Sequence, residues 1–221
     1  MKPSAVTFDI GGIIYSDDVF KRAIFGALQA LAPGIDSAKF EGVYQAHLQS
    51  QSGSLRSKLC LEFLGSLEAK DQLMALATER WHFSTSDLYS DAKECITAVK
   101  GTGCKIGIVA NQAATVVAAL ERDGIAELID FMGVSAIVGI EKPDPAIFRA
   151  ALSALAVPAA EVIHIGNRLD TDVLPAQGLG MRTAWILRGE ANPHPSEADL
   201  QVPDIVAHSL HDIPQAIAAL S

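Results

Sequence analysis

A carboxylate and a lysine stand out in this sequence as candidates for chemistry. Asp9 lies at the end of a short apolar run, residues 5–10, and Gly11 and Gly12 follow it. Such a run is typical of a buried strand that delivers one carboxylate into a glycine-rich turn. Lys142 lies in a Glu-Lys-Pro-Asp-Pro turn that opens a helical segment. We expect chemistry centred on Asp9 with Lys142 leaning toward it; the alternative for Asp9 is a capping or turn carboxylate.

Further candidates follow other apolar runs. In an open parallel sheet, ligands bind in the crevice outside the carboxyl ends of the strands. Besides Asp9, that rule selects Ala110, Asn111, Gln112, Asn167, Asp170 and Asp172. For Asp170 a helix-capping role is the better interpretation. His164 lies inside an apolar run and is predicted to be a core histidine.

The elements that must position these residues alternate along the chain. Apolar runs at residues 5–10, 105–110, 161–165 and 181–186 predict strands, and helical patterns cover residues 91–101, 113–123 and 145–155. A short strand at residues 205–206 and a helix from Ile213 complete the pattern. Strands that alternate with helices indicate an α/β fold with a doubly wound parallel sheet.

Residues 18–89 interrupt this alternation. The segment is rich in helix formers and has no convincing strand. We predict that it is a small inserted α-helical cap of three to five helices, and that residues 1–17 and 90–221 form the Rossmann-like core. Arg56 and Lys58 within it are interpreted as parts of a solvated helix face.

Composition narrows the class of function. The chain has 221 residues, of which 49% are hydrophobic, enough for one sizeable α/β domain. With 17 Lys and Arg against 26 Asp and Glu, the net charge of −9 argues against a nucleic-acid partner, although a local site can still bind a small anion.

Cys60, Cys95 and Cys104 are too few for a disulfide framework or a zinc site. The first residues lack a signal-peptide pattern and no run could span a bilayer, so we expect a cytoplasmic location without membrane attachment. The oligomeric state is left open.

Four motifs stand in a recognisable order. They are Phe-Asp-Ile-Gly-Gly-Ile at residues 8–13, Ile-Val-Ala-Asn-Gln at 108–112, Lys-Pro-Asp-Pro-Ala-Ile-Phe at 142–148 and Gly-Asn-Arg-Leu-Asp-Thr-Asp at 166–172. Together they resemble the haloacid dehalogenase-like (HAD) hydrolase superfamily over essentially the whole chain. The resemblance implies a Rossmann-like core with a cap inserted after the first motif.

The resemblance also implies roles for individual residues. Asp9 would be the nucleophile that forms a covalent ester, which water then breaks, and Lys142 would offset its charge. Residues Ala110, Asn111 and Gln112 would bind the substrate, a small and anionic molecule, most simply a phosphomonoester. Mg²⁺ would be held by oxygen atoms of Asp9, Gly11, Asn167 and Asp172. The cap would exclude water and select the leaving group.

Three positions depart from the pattern of the family's phosphatases. Gly11 replaces the carboxylate that serves as general acid and base, Ala110 replaces a phosphate-binding hydroxyl, and Asn167 replaces a Mg²⁺-binding carboxylate. General acid–base help is worth about 10²–10⁴-fold, so a slow phosphatase with a weakened Mg²⁺ site is expected. Restoring both carboxylates, by Gly11→Asp with Asn167→Asp, is expected to raise its rate.

Two alternatives follow from these departures. A non-catalytic relative would use the fold to bind a ligand or a partner protein. A metal-independent 2-haloacid dehalogenase would also lack the second carboxylate, but the asparagine of such enzymes near position 169 is replaced by Leu169.

Overall fold

The computed structural model describes residues 2–220, and these form a six-stranded sheet with helices packed on it. The strands are β1 (Ala5–Phe8), β2 (Lys105–Ala110), β3 (Phe131–Val134), β4 (Val162–Gly166), β5 (Arg182–Ile186) and β6 (Ile205–Ala207). Their order is β3-β2-β1-β4-β5-β6, and every neighbouring pair is parallel. This is the strand order of a doubly wound fold, so the predicted fold class is confirmed.

The central strands are buried on both faces, as a parallel sheet covered by helices requires. All four residues of β1 and all five of β4 are buried. Phe8 of β1 pairs with Ile108 on one side and with Ile165 on the other. This register brings the carboxyl ends of the three strands to one edge of the sheet, where Asp9 lies.

Eleven α-helices lie between or after these strands in the described part of the chain. They are α1 (Asp18–Leu31), α2 (Ser37–Ser50), α3 (Leu55–Leu64), α4 (Lys70–Thr78), α5 (Ala92–Gly101), α6 (Val116–Arg122), α7 (Ser135–Val138), α8 (Pro145–Leu155), α9 (Leu174–Gln177), α10 (Glu197–Leu200) and α11 (Ile213–Ala219). Helix α8 begins where the sequence predicts: Pro145 takes its first turn, and the Asp144 side chain accepts a hydrogen bond from the Ala146 N–H.

Helices α1 to α4 all lie between β1 and β2, and we call residues 18–89 the helical insertion. Its four α-helices fall within the three to five predicted. They enclose a hydrophobic cluster of their own, built around Leu28, Leu59 and Leu73, beside the main core under the sheet. The division of the chain at residues 17 and 90 into core and cap stays a prediction.

Several predicted boundaries were wrong. The first strand ends at Phe8 rather than residue 10, because the carbonyl of Ile10 already accepts hydrogen bonds from Ile14 and Tyr15 in a tight turn. Strand β3 was not predicted, and α6 begins at Val116 rather than residue 113. Cys60, Cys95 and Cys104 are buried free thiols. Over residues 2–220, no helix is both long and apolar enough to cross a membrane.

Candidate active site

A cavity of about 550 Å³ opens at the carboxyl edge of the sheet, beneath the helical insertion. Residues outside the helical insertion form much of its wall, among them Asp9, Gly11, Asn111, Gln112, Lys142 and Asn167. The insertion contributes Phe20, Arg56, Lys70 and Trp81. Most of the residues that the sequence predicts at the carboxyl ends of the strands therefore lie together in this cavity wall. Ala110 and Asp172 are not part of the wall.

Lys142 is the centre of the charged groups in this cavity. Its Nζ lies 2.9 Å from Oδ1 of Asp9 and 2.5 Å from Oδ1 of Asp172. Burial raises the pKa of Asp9 to about 6, although the charge of Lys142 opposes that shift. Burial also works against the Lys142 ammonium, but the charges of Asp172 and Asp9 outweigh it and raise the pKa of Lys142. The lysine therefore stays protonated beside the Asp9 carboxylate.

Asp172 does not present a free oxygen to the cavity. Its Oδ1 contacts Lys142 and lies 3.4 Å from Nε2 of His164, and its Oδ2 accepts from the backbone N–H groups of Asn167 and Arg168 at 3.2 and 3.0 Å. Despite burial, Lys142 and His164 hold the pKa of Asp172 well below its ordinary value. The role of Asp172 as a metal ligand stays a prediction; here its oxygens contact protein donors, and it fixes Lys142.

His164 and Asp170 have other partners. His164 is buried, and its Nδ1 lies 2.9 Å from the Thr7 hydroxyl, so it is the core histidine that the sequence predicts. Asp170 does not cap a helix; its Oδ2 forms an ion pair with Nη2 of Arg168 at 2.8 Å.

The residues after β2 divide into two roles. The Asn111 side chain accepts a hydrogen bond from the Lys142 N–H at 2.7 Å and donates to the Lys142 carbonyl at 2.9 Å. Asn111 therefore fixes the backbone of the lysine. The Gln112 side chain lies in the cavity wall, and its Oε1 is buried without a hydrogen-bond partner in the described part of the chain. Ala110 is fully buried at the end of β2 and brings no polar side-chain atom to the site.

Three oxygen groups around Asp9 suit a hard cation. The Asp9 carboxylate lines the cavity, and no donor from residues 2–220 reaches the carbonyl oxygen of Gly11. The amide nitrogen of Asn167 donates to Oδ2 of Asp17 at 2.9 Å and to the Arg188 carbonyl, which leaves its amide oxygen for a ligand. Mg²⁺ binds such oxygen ligands and keeps several waters, so the donor set fits, with less negative charge than a pair of carboxylates would give.

Asp17 is a functional candidate that the sequence did not reveal. It immediately precedes α1, where an acidic residue reads as a helix cap, yet its side chain makes no cap hydrogen bond. Instead, the carboxylate turns back to the cavity, and Oδ2 accepts from Asn167 and from the Glu190 N–H at 2.7 Å. Burial raises the pKa of Asp17 well above its ordinary value, and the charges of Glu190 and Asp9 add to the shift.

Arg56 also lies in the wall, which makes its predicted place on a solvated face wrong. Its side chain is 17% exposed, and Nη1 lies 2.8 Å from Oε1 of Glu141, the residue before Lys142. The guanidinium also lies 5.6 Å from the ring centroid of Phe20. Lys58, by contrast, is exposed as predicted.

The loop after β5 joins the first motif to the helical insertion. Arg188 donates from Nε to the Gly12 carbonyl at 2.7 Å and from Nη2 to the Ile13 carbonyl at 2.5 Å. Two residues later, Glu190 accepts from the Tyr44 hydroxyl of α2 at 2.6 Å. The sequence does not reveal these contacts, because hydrogen bonds between residues so far apart leave no local pattern.

Comparisons with known proteins show the family and the fold of the chain. A family model described as a haloacid dehalogenase-like hydrolase matches residues 3–180. Ribulose-1,5-bisphosphate 5-phosphatase of Halopiger xanaduensis is 27% identical over 214 residues, covering 89% of this chain and 90% of that protein. Glyceraldehyde 3-phosphate phosphatase of Methanopyrus kandleri is 29% identical over 212 residues, covering 90% and 91%. The crystal structure of a predicted phosphoglycolate phosphatase from Haemophilus somnus superposes with a TM-score of 0.78 at 18% identity, covering 97% and 98%, which is a likeness of fold.

Proposed function

Because the chain belongs to the haloacid dehalogenase-like hydrolase family, we propose that it is a phosphatase that hydrolyses small phosphomonoesters with Asp9 as nucleophile. The observation that carries this proposal is the buried pair of Asp9 and Lys142, whose atoms lie 2.9 Å apart in the wall of a cavity at the sheet edge. Two relatives that align over about nine-tenths of the chain are phosphatases of small phosphorylated compounds.

The chemistry requires two displacements at phosphorus. An Asp9 oxygen attacks the phosphorus atom, the bond to the leaving oxygen breaks, and an acyl phosphate forms on Asp9. Water then attacks the same phosphorus atom, which releases phosphate and regenerates the carboxylate. Lys142 lies in place before either step, so its positive charge can stabilise the charge that develops on the phosphoryl oxygens.

The residues around Asp9 support a metal requirement as part of the proposal. Mg²⁺ would be held by Asp9, the Gly11 carbonyl and the Asn167 amide oxygen, and it would supply positive charge next to the phosphoryl group. Because Asn167 is uncharged, we expect weaker Mg²⁺ binding than a carboxylate would give. The missing hydroxyl at Ala110 lowers the expected rate further.

The experiment is a turnover assay with Mg²⁺ and a panel that includes sugar phosphates, glyceraldehyde 3-phosphate and ribulose 1,5-bisphosphate. Asp9→Asn should abolish phosphate release, while Asp71→Asn, a matched change on an exposed residue of α4, should not alter it. Rapid acid quenching should recover a phosphoryl adduct on Asp9 in the wild type only.

The two alternatives give different results in the same experiment. Halide release from 2-haloacids without added metal would indicate the dehalogenase. A chain that binds vanadate or Mg²⁺ without turnover, or neither of them, would indicate the non-catalytic relative. Equal phosphate release by Asp9→Asn and the wild type would overturn the proposal.

A further inference from the structure

The carboxylate of Asp17 fills the space that a side chain at position 11 would occupy. A Cβ atom placed on Gly11 would overlap Oδ1 of Asp17, well inside van der Waals contact. The same Cβ atom would lie 3.4 Å from Nε2 of Gln112, which is also in the cavity wall. The absence of a side chain at Gly11 is therefore what allows Asp17 to enter the site.

Two further glycines enclose the same carboxylate. A Cβ atom on Gly12 would lie 2.6 Å from Oδ2 of Asp17, and one on Gly189 would overlap Oδ2. Both glycines have positive φ, 65° and 62°, a conformation that other residues rarely adopt. Backbone from the turn after β1 and from the loop after β5 thus forms a cradle around this one side chain.

The two oxygens of Asp17 have different surroundings. Oδ2 is held by the Asn167 amide at 2.9 Å and by the Glu190 N–H at 2.7 Å. Among residues 2–220, no donor forms a hydrogen bond to Oδ1, the oxygen that lies where the side chain of residue 11 would begin. One oxygen is therefore fixed, and the other remains available in a cavity that also holds Asp9.

We propose that Asp17 replaces in space the carboxylate that position 11 lacks and acts as the general acid and base of this site. The inference rests on the proposed phosphatase function. As the bond between phosphorus and the leaving oxygen breaks, the electron pair goes to that oxygen, which takes a proton from Asp17. In the second displacement, the Asp17 carboxylate takes a proton from the attacking water, so each turnover returns it to its starting form.

Under this proposal, the carboxylate that acts as general acid and base can come from position 11 or from position 17, but not from both at once. Adding a carboxylate by Gly11→Asp would push Asp17 out of its cradle without adding to the number of carboxylates that work in the site. Gly11→Asp alone should therefore gain no rate, and any gain in the double variant Gly11→Asp with Asn167→Asp should come from stronger Mg²⁺ binding at position 167.

Leaving-group dependence tests the role of Asp17. Asp17→Asn should lower turnover of alkyl phosphates by about 10²–10⁴-fold, because an alkoxide leaves poorly without a proton. With dinitrophenyl phosphate, whose leaving group needs no proton, the first turnover should stay near the wild-type rate and phosphorylated Asp9 should then accumulate. The matched control is Asp18→Asn, which removes the neighbouring exposed carboxylate and should change neither substrate.

A carboxylate exchange provides the second test. Asp17→Ala should be slow, and Gly11→Asp in the Asp17→Ala background should recover much of the alkyl phosphatase rate. Circular dichroism and thermal melts check that each variant folds. If Asp17→Asn does not fold, Gly11→Ala, which keeps every charge but displaces the carboxylate, should show the same leaving-group dependence.

Several outcomes would overturn the inference while leaving the proposed function intact. These are full alkyl phosphatase activity in Asp17→Asn, an equal loss with both leaving groups, or complete rescue by excess Mg²⁺, which would make the carboxylate a metal ligand. If Asp9→Asn matched the wild type, the proposed function itself would fail. The two failures are therefore distinguishable.

Discussion

Nζ of Lys142 and Oδ1 of Asp172 lie 2.5 Å apart, and both side chains are almost completely shielded from solvent. Asp172 is fixed in turn by two backbone N–H groups at the start of the segment after β4. The lysine that faces Asp9 is therefore held from behind by a residue that does not enter the cavity. Such support fixes a charged group in place before the substrate arrives.

Lys142→Met should show how much the buried contacts of Lys142 contribute to stability and to activity. Removing the ammonium leaves Asp172 and Asp9 buried without a counter-charge, so the free energy of unfolding should fall by about 3–5 kcal/mol. Phosphatase activity should be lost as well. Urea unfolding measures the first effect, and Lys58→Met on the exposed face of α3 is the control, expected to stay within about 0.5 kcal/mol of wild type. A stable, active Lys142→Met variant would contradict this account.

Arg188→Lys should damage the turn after β1. The substitution keeps the positive charge but loses the fork that reaches the carbonyls of Gly12 and Ile13 at 2.7 and 2.5 Å. We expect a loss of about 1–3 kcal/mol in the free energy of unfolding and a lower kcat/KM, because the turn that follows Gly11 loses hydrogen bonds at Gly12 and Ile13. Arg149→Lys, on the exposed side of α8, is the matched control and should change neither quantity. Unchanged kcat/KM in Arg188→Lys would show that the turn after β1 keeps its conformation without these hydrogen bonds.

Variants of Arg56 and Glu141 should distinguish a structural role of this ion pair from a role of Arg56 in substrate binding. Their contact of 2.8 Å joins the helical insertion to the core, but Glu141 is 60% exposed, so the pair contributes at most about 1 kcal/mol to stability. If Arg56 binds the anionic substrate, Arg56→Met should raise KM about tenfold, equivalent to about 1.4 kcal/mol of binding. Glu141→Gln should leave KM unchanged or lower it, because the guanidinium is released. Steady-state kinetics at several salt concentrations measures both KM values. Equal changes of KM in Arg56→Met and Glu141→Gln would mean that Arg56 has only a structural role.

A site residue could be predicted from the sequence when the pattern that identifies it lies within a few neighbouring residues. Asp9 and Lys142 were found because each lies in a short pattern beside its own strand or helix. Asp17 was not, because its carboxylate takes the place of a side chain six positions earlier, and only the path of the turn and the glycine at 189 make that space. A spatial replacement of this kind has no signature in the spacing of residues.

The same reasoning explains why strand β3 was missed and why the contacts of Asp172 could not be predicted. Strand β3 is a four-residue segment with a glycine at its third position, and its pairing with β2, from Gly107 with Phe131 onward, is what makes it a strand. Asp172 has the right residue type and spacing for a cation ligand. The sequence could not show that four protein donors already surround its oxygens.

His47 should make stability depend on pH where the helical insertion meets the core. It is fully buried, and its Nε2 lies 3.2 Å from Nη1 of Arg168. Burial, with the charge of Arg168, lowers the pKa of His47 from 6.5 to about 4. Between these values the unfolded chain binds a proton that the folded chain does not. This histidine therefore contributes a loss of stability as pH falls from about 6.5 to about 4.

The prediction is tested by the difference between variants, because Asp9 and other carboxylates also titrate in this range. The free energy of unfolding of His47→Gln relative to wild type should improve progressively as pH is lowered through that window, while His82→Gln, on an exposed histidine, should track the wild type. Urea titrations at half-unit steps of pH give the comparison. A constant difference between His47→Gln and wild type across the window would mean that His47 accepts its proton as readily in the folded protein as in the unfolded chain.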